Sequence, residues 1–253
     1  PRSKPQAFWG RTRPMNICII AHLAYGAFTG GNNGHSGGVE HQTSLMARWL
    51  ASRGHGVSLV TWNEGGSIEE CIDGVRVIKM CRQNEGVRGI RFFHPRWTSL
   101  NQCMRKADAE IYYHNCAEYV TGQVALWCRS RGRRFIYSVA SDAECEIPSS
   151  ATRSYRDRVS FRYGLRRADR IVVQTQKQQH LLRHNFGLDS VILPMPCKEA
   201  LDAGPETSDV RGPEQFKVLW AGRIDKEKRL EMLLDVAGFL PDVTFDIAGK
   251  PSN

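Results

Sequence analysis

Short apolar stretches alternate with amphipathic stretches along most of the chain, and no other feature of the sequence constrains the fold as strongly. A short apolar run suits a strand buried on both faces, while the apolar stripe of 41–53 suits a helix with one buried face. The alternation predicts right-handed crossovers and therefore an α/β fold with a doubly wound parallel sheet. The predicted strands are 15–21, 57–62, 75–80, 110–113, 134–139, 170–174 and 190–193, and the predicted helices are 41–53, 121–129, 155–167 and 176–185.

The alternation is interrupted once, by a stretch rich in loop-forming residues between 203 and 214. The charge changes at the same place: residues 1–205 hold 28 basic and 17 acidic side chains, whereas 206–253 hold 7 and 9. After it, a strand, a helix and a strand give one βαβ unit, which cannot cover both faces of its own sheet. We therefore predict a basic tail at 1–14, a first domain at 15–204, a linker at 205–214 and an incomplete second domain at 215–253.

Several classes of protein are excluded by composition. No apolar run approaches the ~18–20 residues that span a bilayer, and the polar, basic start of the chain lacks the apolar segment of a secretory signal. The eight cysteines are spread so that no two lie closer than ten positions, which fits neither a disulfide framework nor a zinc site. We expect a cytoplasmic protein without a metal, in which most cysteines fill the core.

A glycine-rich loop, residues 30–40, lies between the first predicted strand and the first predicted helix. Glycines let backbone N–H groups approach an anion, and the helix that follows adds a favourable dipole. The loop has neither the Walker pattern nor the dinucleotide-binding pattern. Composition alone leaves two interpretations open, a phosphate-binding loop and a flexible surface loop.

A second candidate motif opens the predicted second domain. The strand 217–221 ends beside Gly222 and is followed by Arg223 and Lys228, near the start of the next predicted helix. A guanidinium can hold a phosphate through two bonds, and an ammonium can neutralise another oxygen. A solvated basic turn remains the alternative.

Together these motifs resemble retaining glycosyltransferases of family 4. Residues 37–40 (GGVE), followed by a helix and the GHGV turn at 54–57, resemble that family's glycine loop, first helix and turn. Residues 218–234 are similar to the segment that opens its second domain, and residues 171–175 to the last strand of its first domain. The resemblance covers about 15–250.

The resemblance implies the GT-B architecture, with two Rossmann-like domains, and transfer of a sugar from a nucleotide-sugar with retention of configuration. No cofactor or metal is implied, since the nucleotide-sugar is itself a substrate. The amides of Gly37 and Gly38 and the side chains of Arg223 and Lys228 would hold the diphosphate. These groups would stabilise the negative charge of the departing nucleoside diphosphate.

Further site residues follow from the same resemblance. His114, after the predicted strand 110–113, matches a family histidine that contacts the transferred sugar, although a hydrogen-bonded loop histidine is an alternative. Asn115 and Glu118 are other possible sugar contacts. Glu40 would either touch a sugar hydroxyl or cap the helix. Asp142, together with Glu144, would either face the acceptor or lie in a surface loop.

The resemblance also marks what the chain lacks. The family's paired glutamates lie further along the second domain than Asn253, so we expect this polypeptide to be inactive or very weak alone. Two other functions stay open. One is a nucleotide-sugar epimerase on a similar scaffold, and the other is a basic, non-catalytic module that binds nucleic acid or membrane.

A basic surface is predicted between 151 and 170, where seven arginines accompany two aspartates. With Phe161 and Tyr163 interleaved, 153–167 could contact the inner face of a membrane peripherally. A solvated helix face is the alternative. We do not expect nucleic acid as a partner, because no recognition motif or stacking platform accompanies the charge. The acceptor could be a polysaccharide, a lipid-linked sugar or a small molecule.

Overall fold

The computed structural model describes residues 13–30, 37–146, 154–196, 216–225 and 228–251. The chain divides into two compact units, Pro1–Lys198 and Glu199–Asn253. The predicted linker at 205–214 lies outside the described residues, as does the predicted basic tail except for its last two residues.

The first unit is built around one sheet of eight strands. The strands are β1 (Asn16–Ile20), β2 (Gly56–Thr61), β3 (Glu69–Ile72), β4 (Val75–Lys79), β5 (Ile111–Asn115), β6 (Arg134–Ser138), β7 (Arg170–Val173) and β8 (Val191–Ile192). They are ordered β3-β4-β2-β1-β5-β6-β7-β8, and every neighbouring pair is parallel except β3 with β4. The predicted α/β fold with a largely parallel sheet is confirmed.

Six helices flank this sheet in the described part of the first unit. They are α1 (Tyr25–Thr29), α2 (Gly38–Ser52), α3 (Thr98–Ala107), α4 (Tyr119–Arg131), α5 (Tyr155–Arg167) and α6 (Gln176–Phe186). A segment with π-helical hydrogen bonding, Phe92–Trp97, leads into α3 and is kinked at His94, where the backbone is not helical (φ −135°, ψ 125°). A 3-10 turn, Asp142–Cys145, follows β6. Within the described part of the chain, no helix is long and apolar enough to cross a membrane.

Both faces of the central part of the sheet are buried, which explains why β1 and β2 are largely apolar. In β1, Ile17 and Ile19 belong to the core cluster on the side of α1 and α2. Cys18 and Ile20 point the other way, into the larger cluster beneath α3, α4, α5 and α6. Successive side chains of a strand alternate between faces, so one strand serves both cores.

The order of the strands reverses at β1. The chain first runs from β1 to β2 on one side, and later returns to place β5 on the other side of β1. In open α/β sheets, ligands bind beyond the carboxyl ends of the strands at such a reversal. The segments that meet there are the residues after β1, the end of β5 and the N-terminus of α2.

Some details differ from the sequence prediction. The sequence predicted that His114 follows a strand at 110–113. Strand β5 in fact extends to Asn115, so His114 lies within this strand. The alternation also does not predict α3, because only Leu100, Cys103 and Met104 form its buried stripe. Strand β3 is missed as well, because two of its four residues are glutamates.

Strand β3 forms one edge of the sheet and carries two ion pairs to β4. Arg76 Nε donates to Glu69 Oε1 at 2.5 Å. Lys79, whose side chain is buried, places Nζ 2.7 Å from Glu70 Oε1 and 2.6 Å from the carbonyl oxygen of Gly65. This buried ammonium therefore has oxygen partners and needs no further ligand.

The described cysteines are all free thiols. Cys18, Cys103, Cys128 and Cys145 are buried, as expected of core residues, whereas Cys71 is exposed and Cys81 and Cys116 are half-buried. The eighth, Cys197, lies outside the described residues.

The second unit contains a parallel pair of strands, β9 (Lys217–Ala221) and β10 (Thr244–Ala248), connected through helix α7 (Leu230–Gly238). This is the βαβ unit that the sequence predicted. Large apolar side chains such as Leu219, Leu234 and Phe239 are exposed in it. One crossover therefore leaves much of its apolar surface uncovered, as expected for a two-stranded sheet.

Candidate functional site

His114 lies at the reversal point, near the carboxyl end of β5, and its imidazole is buried. Its Nδ1 lies 2.9 Å from the carbonyl oxygen of Ile20 in the neighbouring strand β1. Because a carbonyl only accepts, Nδ1 carries the proton. Burial, together with the nearby His22, lowers the pKa of His114 to about 4, despite opposing effects of Glu118 and the Ile20 carbonyl. Near neutral pH the ring is therefore neutral.

The other ring nitrogen of His114 is available for a ligand. Nε2 is buried and has no hydrogen-bond partner among the described residues. In the neutral tautomer it carries a lone pair, so it can accept a hydrogen bond from a hydroxyl group. A buried acceptor without a hydrogen bond destabilises the folded protein until a ligand donates one to it. Such acceptors are common at binding sites.

A second histidine and a carboxylate accompany His114. His22, two residues after the end of β1, packs against Trp62 with 4.4 Å between the ring centres and the ring planes tilted by 37°, and it lies 6.5 Å from the His114 ring. Its Nδ1 is 3.6 Å from Glu118 Oε2. Burial raises the pKa of Glu118, but its interactions with His22 and His114 outweigh this effect, so the pKa lies below its ordinary value. Glu118 is therefore ionised near neutral pH.

The N-terminus of α2 places backbone N–H donors at the same edge. Gly37 is the N-cap, and the first N–H to bond back to it belongs to His41, at 3.1 Å. The N–H groups of the first turn therefore have no intrahelical acceptor and favour an anion. A Cβ at Gly38 would meet no atom within 4 Å, so the space in front of this residue is open.

The carboxylate of Glu40 lies close to this helix end. A Cβ on Gly37 would collide with the Glu40 carboxylate, which places a negative charge beside the amides of the first turn. This position fits the capping role among the two that the sequence left open.

Glu40→Gln tests which of the two roles applies. If Glu40 caps the helix, the amide of Gln can still cap it, but the charge that repels a diphosphate is removed, so we expect affinity for a nucleoside diphosphate to rise about two- to fivefold. Titration calorimetry with the diphosphate and with the matching nucleotide-sugar gives the comparison. A loss of affinity confined to the nucleotide-sugar would instead assign Glu40 to the sugar.

Asn115 joins strand β5 to helix α2. Its Nδ2 donates to Thr43 Oγ1 at 3.2 Å, and that hydroxyl donates to the carbonyl oxygen of Val39 at 2.8 Å. The surrounding cavity has a volume of about 40 Å³, and His22, Glu40, Thr43, His114, Asn115 and Glu118 are among its lining residues. Ligand pockets usually measure ~300–1,000 Å³, so this cavity alone cannot enclose a nucleotide-sugar.

Asp142 is not part of this group. It lies in the 3-10 turn after β6, where its carboxylate is 2.7 Å from Lys177 Nζ. The hydrogen bond from Lys177 lowers the pKa of Asp142 in spite of some desolvation. In the first unit, then, the structure brings Glu40, His114, Asn115 and Glu118 together and places Asp142 outside the cavity.

Glu144, which the sequence analysis placed with Asp142, is buried and therefore does not lie in a surface loop. The Tyr137 hydroxyl donates a hydrogen bond to Glu144 Oε2 at 2.6 Å, and the Ala140 N–H donates a second one to the same oxygen at 3.2 Å. The N–H groups of Ser141 and Ala117 also interact with this carboxyl. Burial raises the pKa of Glu144 to about 7, and these donors only partly offset it.

This carboxyl connects the turn after β6 with the turn after β5. In that second turn Cys116 adopts a φ of 74°, a backbone conformation that is rare for residues other than glycine. Strained backbone of this kind persists where surrounding contacts fix it, here next to Glu118.

Arg223 and Lys228 belong to the second unit. Both are exposed, Arg223 just beyond the carboxyl end of β9 and Lys228 shortly before α7 begins. The N–H of Gly222 donates to the carbonyl oxygen of Ala248 at 3.0 Å, which holds this turn against β10. Their predicted contact with a diphosphate stays a prediction.

Sequence reasoning missed His22 and Thr43. The only signal for His22 was a histidine directly after the first apolar run, at the end where ligands bind in such sheets. Among the described residues, no three His, Cys, Asp or Glu side chains are grouped so that they could hold a metal ion.

A doubly wound sheet with a helix N-terminus and a buried imidazole at its reversal point is typical of Rossmann-like proteins. The family model described as glycosyl transferase 4-like domain matches residues 37–197. The chain belongs to this family. No curated protein sequence matches the chain.

Solved structures agree on the fold. A sucrose-phosphate synthase from Thermosynechococcus elongatus has a TM-score of 0.68 at 18% identity and covers 91% of this chain. A putative UDP-N-acetylglucosamine 2-epimerase from Listeria monocytogenes scores 0.53 at 9% identity, covering 93%. UGT89C1 from Arabidopsis thaliana, complexed with UDP-L-rhamnose, scores 0.51 at 10% identity, covering 96%. This chain spans 61%, 63% and 70% of their respective lengths.

Proposed function

We propose that the protein is a glycosyltransferase that moves a sugar from a nucleotide-sugar to an acceptor hydroxyl with retention of configuration. The observation that carries this proposal is the buried, unpartnered Nε2 of His114, in one cavity with residues of the first turn of α2. An acceptor for a sugar hydroxyl and donors for a phosphate then lie at the same edge of the sheet.

The proposed donor is a nucleotide-sugar, as in the structurally similar UGT89C1, which was solved with UDP-L-rhamnose. Its diphosphate would lie against the amides of Gly37 and Gly38, where the helix dipole favours negative charge. Arg223 and Lys228 are the proposed cationic contacts, because phosphate charge increases as the leaving group departs.

The reaction has a simple balance. The bond between the anomeric carbon and the phosphate oxygen breaks, and its electrons leave with the nucleoside diphosphate. The acceptor oxygen forms the new bond on the same face of the sugar, and its proton passes to the departing phosphate. In this scheme neutral His114 accepts a hydroxyl hydrogen bond and fixes the sugar ring, but it transfers no proton itself.

The test incubates the chain with a panel of nucleotide-sugars and an acceptor mixture of polysaccharide, lipid-linked sugar and small alcohols. Release of nucleoside diphosphate together with a labelled product supports the proposal, and NMR of the product gives the anomeric configuration. Conversion of the donor to an isomer without release of diphosphate would instead establish an epimerase. Lack of any affinity for nucleoside diphosphates would reject both functions.

His114→Phe provides the sharpest residue test. Phenylalanine preserves the buried volume but removes the acceptor, so we expect donor turnover, by transfer or by slow hydrolysis, to fall about tenfold to a hundredfold in kcat/KM. Affinity for the nucleoside diphosphate alone should not change. His114→Gln, which can still place an acceptor nearby, should retain more turnover than His114→Phe. Equal turnover in all three proteins would remove His114 from the site.

A further inference from the structure

An apolar groove lies on the first unit between the π-helical segment Phe92–Trp97 and helices α4 and α5. Its volume is about 640 Å³. The side chains that line it are mostly aromatic or aliphatic, among them Phe92, Trp97, Leu126, Tyr155, Val159 and Tyr163. This aromatic groove is distinct from the cavity around His114.

The rim of the aromatic groove is also apolar and strongly exposed. Val87, Ile90 and Phe93, on the turn before and within the π-helical segment, are 70%, 62% and 58% exposed, and Tyr155 is 80% exposed. The Phe93 ring stacks with Trp97 at 6.1 Å, which joins the rim to the groove. Large apolar side chains exposed close together along the chain often mark a docking site.

The segments that form this groove are also rich in arginine. Residues 82–97 and 155–167 together contain nine arginines, against only Glu85 and Asp157. The Arg156 guanidinium lies 4.1 Å from the centre of the Phe92 ring and so places a cation at the groove itself. This surface is larger than the stretch 153–167 predicted from the sequence, of which Arg153 lies outside the described residues.

The aromatic groove borders the candidate site. The Phe92 ring contacts Tyr119 at 5.2 Å, and Tyr119 directly follows Glu118, whose carboxylate lines the cavity around His114. Phe92, Tyr119 and Glu118 therefore connect the aromatic groove with the cavity around His114.

We propose that this face docks on an anionic lipid bilayer. The exposed apolar rim enters the interfacial layer, the groove takes up part of an acyl chain, and exposed arginines such as Arg88 and Arg156 neutralise lipid phosphates. Exposed aliphatic and aromatic side chains among basic ones are the combination that interfacial binding requires. Nucleic acid fits less well, because exposed valine and isoleucine add nothing to phosphate or base contacts. Docking does not require sugar transfer, so the proposal stands independently of the proposed function.

The experiment is sedimentation of the chain with vesicles of phosphatidylcholine alone or mixed with phosphatidylglycerol. We expect binding only to the anionic vesicles, strong at ~0.1 M salt and weak at ~1 M, where screening shortens to about 3 Å. Arg88→Glu with Arg91→Glu should weaken binding about tenfold or more. Phe93→Glu should weaken it similarly, whereas Phe93→Trp should preserve it because tryptophan favours the interface.

Matched variants separate docking from general charge and folding. Arg105→Glu with Arg183→Glu makes the same change of charge on α3 and α6, away from the groove, and Trp49→Glu removes an exposed aromatic side chain from α2. These controls should bind vesicles nearly as well as the unchanged chain, and circular dichroism should show every variant folded.

The proposal is overturned if anionic vesicles do not bind at low salt, or if test and control variants lose binding equally. It is also overturned if Phe93→Glu abolishes self-association or RNA binding while vesicles never bind. The groove would then receive a second copy or a nucleic acid.

Discussion

Unfolding experiments between about pH 4.5 and 6.5 should reveal two buried groups whose effects oppose each other. In the Glu144→Gln variant, the free energy of unfolding should rise by about 2 kcal/mol as the pH increases through this range. In His114→Gln it should fall by a similar amount. The unchanged protein should vary much less, because the two contributions nearly cancel.

The direction of each change in stability follows from the difference between the pKa of the group in the folded protein and its pKa in the unfolded chain. Burial lowers the pKa of His114 from 6.5 to about 4, so the unfolded chain binds the proton more readily and stability is lost as the pH falls. Burial raises the pKa of Glu144 from 4.5 to about 7, so its effect is reversed and stability is lost as the pH rises. The ionisable neighbours are His22 and Glu118 for His114, and Tyr137, Cys116 and Cys145 for Glu144.

Urea unfolding followed by circular dichroism at a series of pH values measures both slopes. Glu69→Gln is the control, because the hydrogen bond from Arg76 lowers the pKa of this exposed carboxyl and it titrates below the range. The double variant His114→Gln, Glu144→Gln should show almost no slope. If stability depends on pH in the same way in the unchanged protein, both single variants and the double variant, neither group is buried as described.

Gly164→Ala should unfold the first unit more easily by about 2–3 kcal/mol. A Cβ on Gly164, in α5, would lie 2.5 Å from the backbone carbonyl of Thr121 and 2.8 Å from the N–H nitrogen of Gly122, both in α4. A Cβ on Gly122 would in turn collide with the carbonyl of Ser160. Backbone atoms cannot move aside as a flexible side chain can, so the two helices would have to separate.

Gly38→Ala is the matched control, since a Cβ there meets nothing within 4 Å, and its stability should change by no more than about 1 kcal/mol. Denaturant midpoints of the two variants give the comparison. A midpoint for Gly164→Ala equal to that of the unchanged protein would show that α4 and α5 can separate at little cost.

The fold could be predicted because its signals are local. Each buried strand is a continuous apolar run, and each amphipathic helix shows its stripe, so the alternation was visible without any knowledge of contacts. Helix α3 was missed because its stripe consists of three apolar residues among polar ones. Strand β5 was ended too early because His114 and Asn115 are polar, although both are buried within the sheet.

The candidate site was less predictable because its geometry depends on register. Ile20 and His114 are 94 residues apart and meet only through the parallel pairing of β1 with β5. No local pattern reports this pairing, so the contact of His22 with Glu118 could not be foreseen. Asp142 and Glu144 are two positions apart in an acidic turn, yet one pairs with Lys177 and the other is buried beside Tyr137.

The charged edge strand β3 has a consequence for how the protein behaves when concentrated. An exposed strand edge offers free backbone groups on which another chain can add, the first step of edge-to-edge aggregation. Here the edge is four residues long, antiparallel, and carries Glu69 and Glu70, both paired to cations of β4. The opposite edge, β8, has two residues. A second chain that adds to β3 would have to desolvate these carboxylates, and one that adds to β8 could pair with only two residues. Both edges therefore disfavour the addition of further strands.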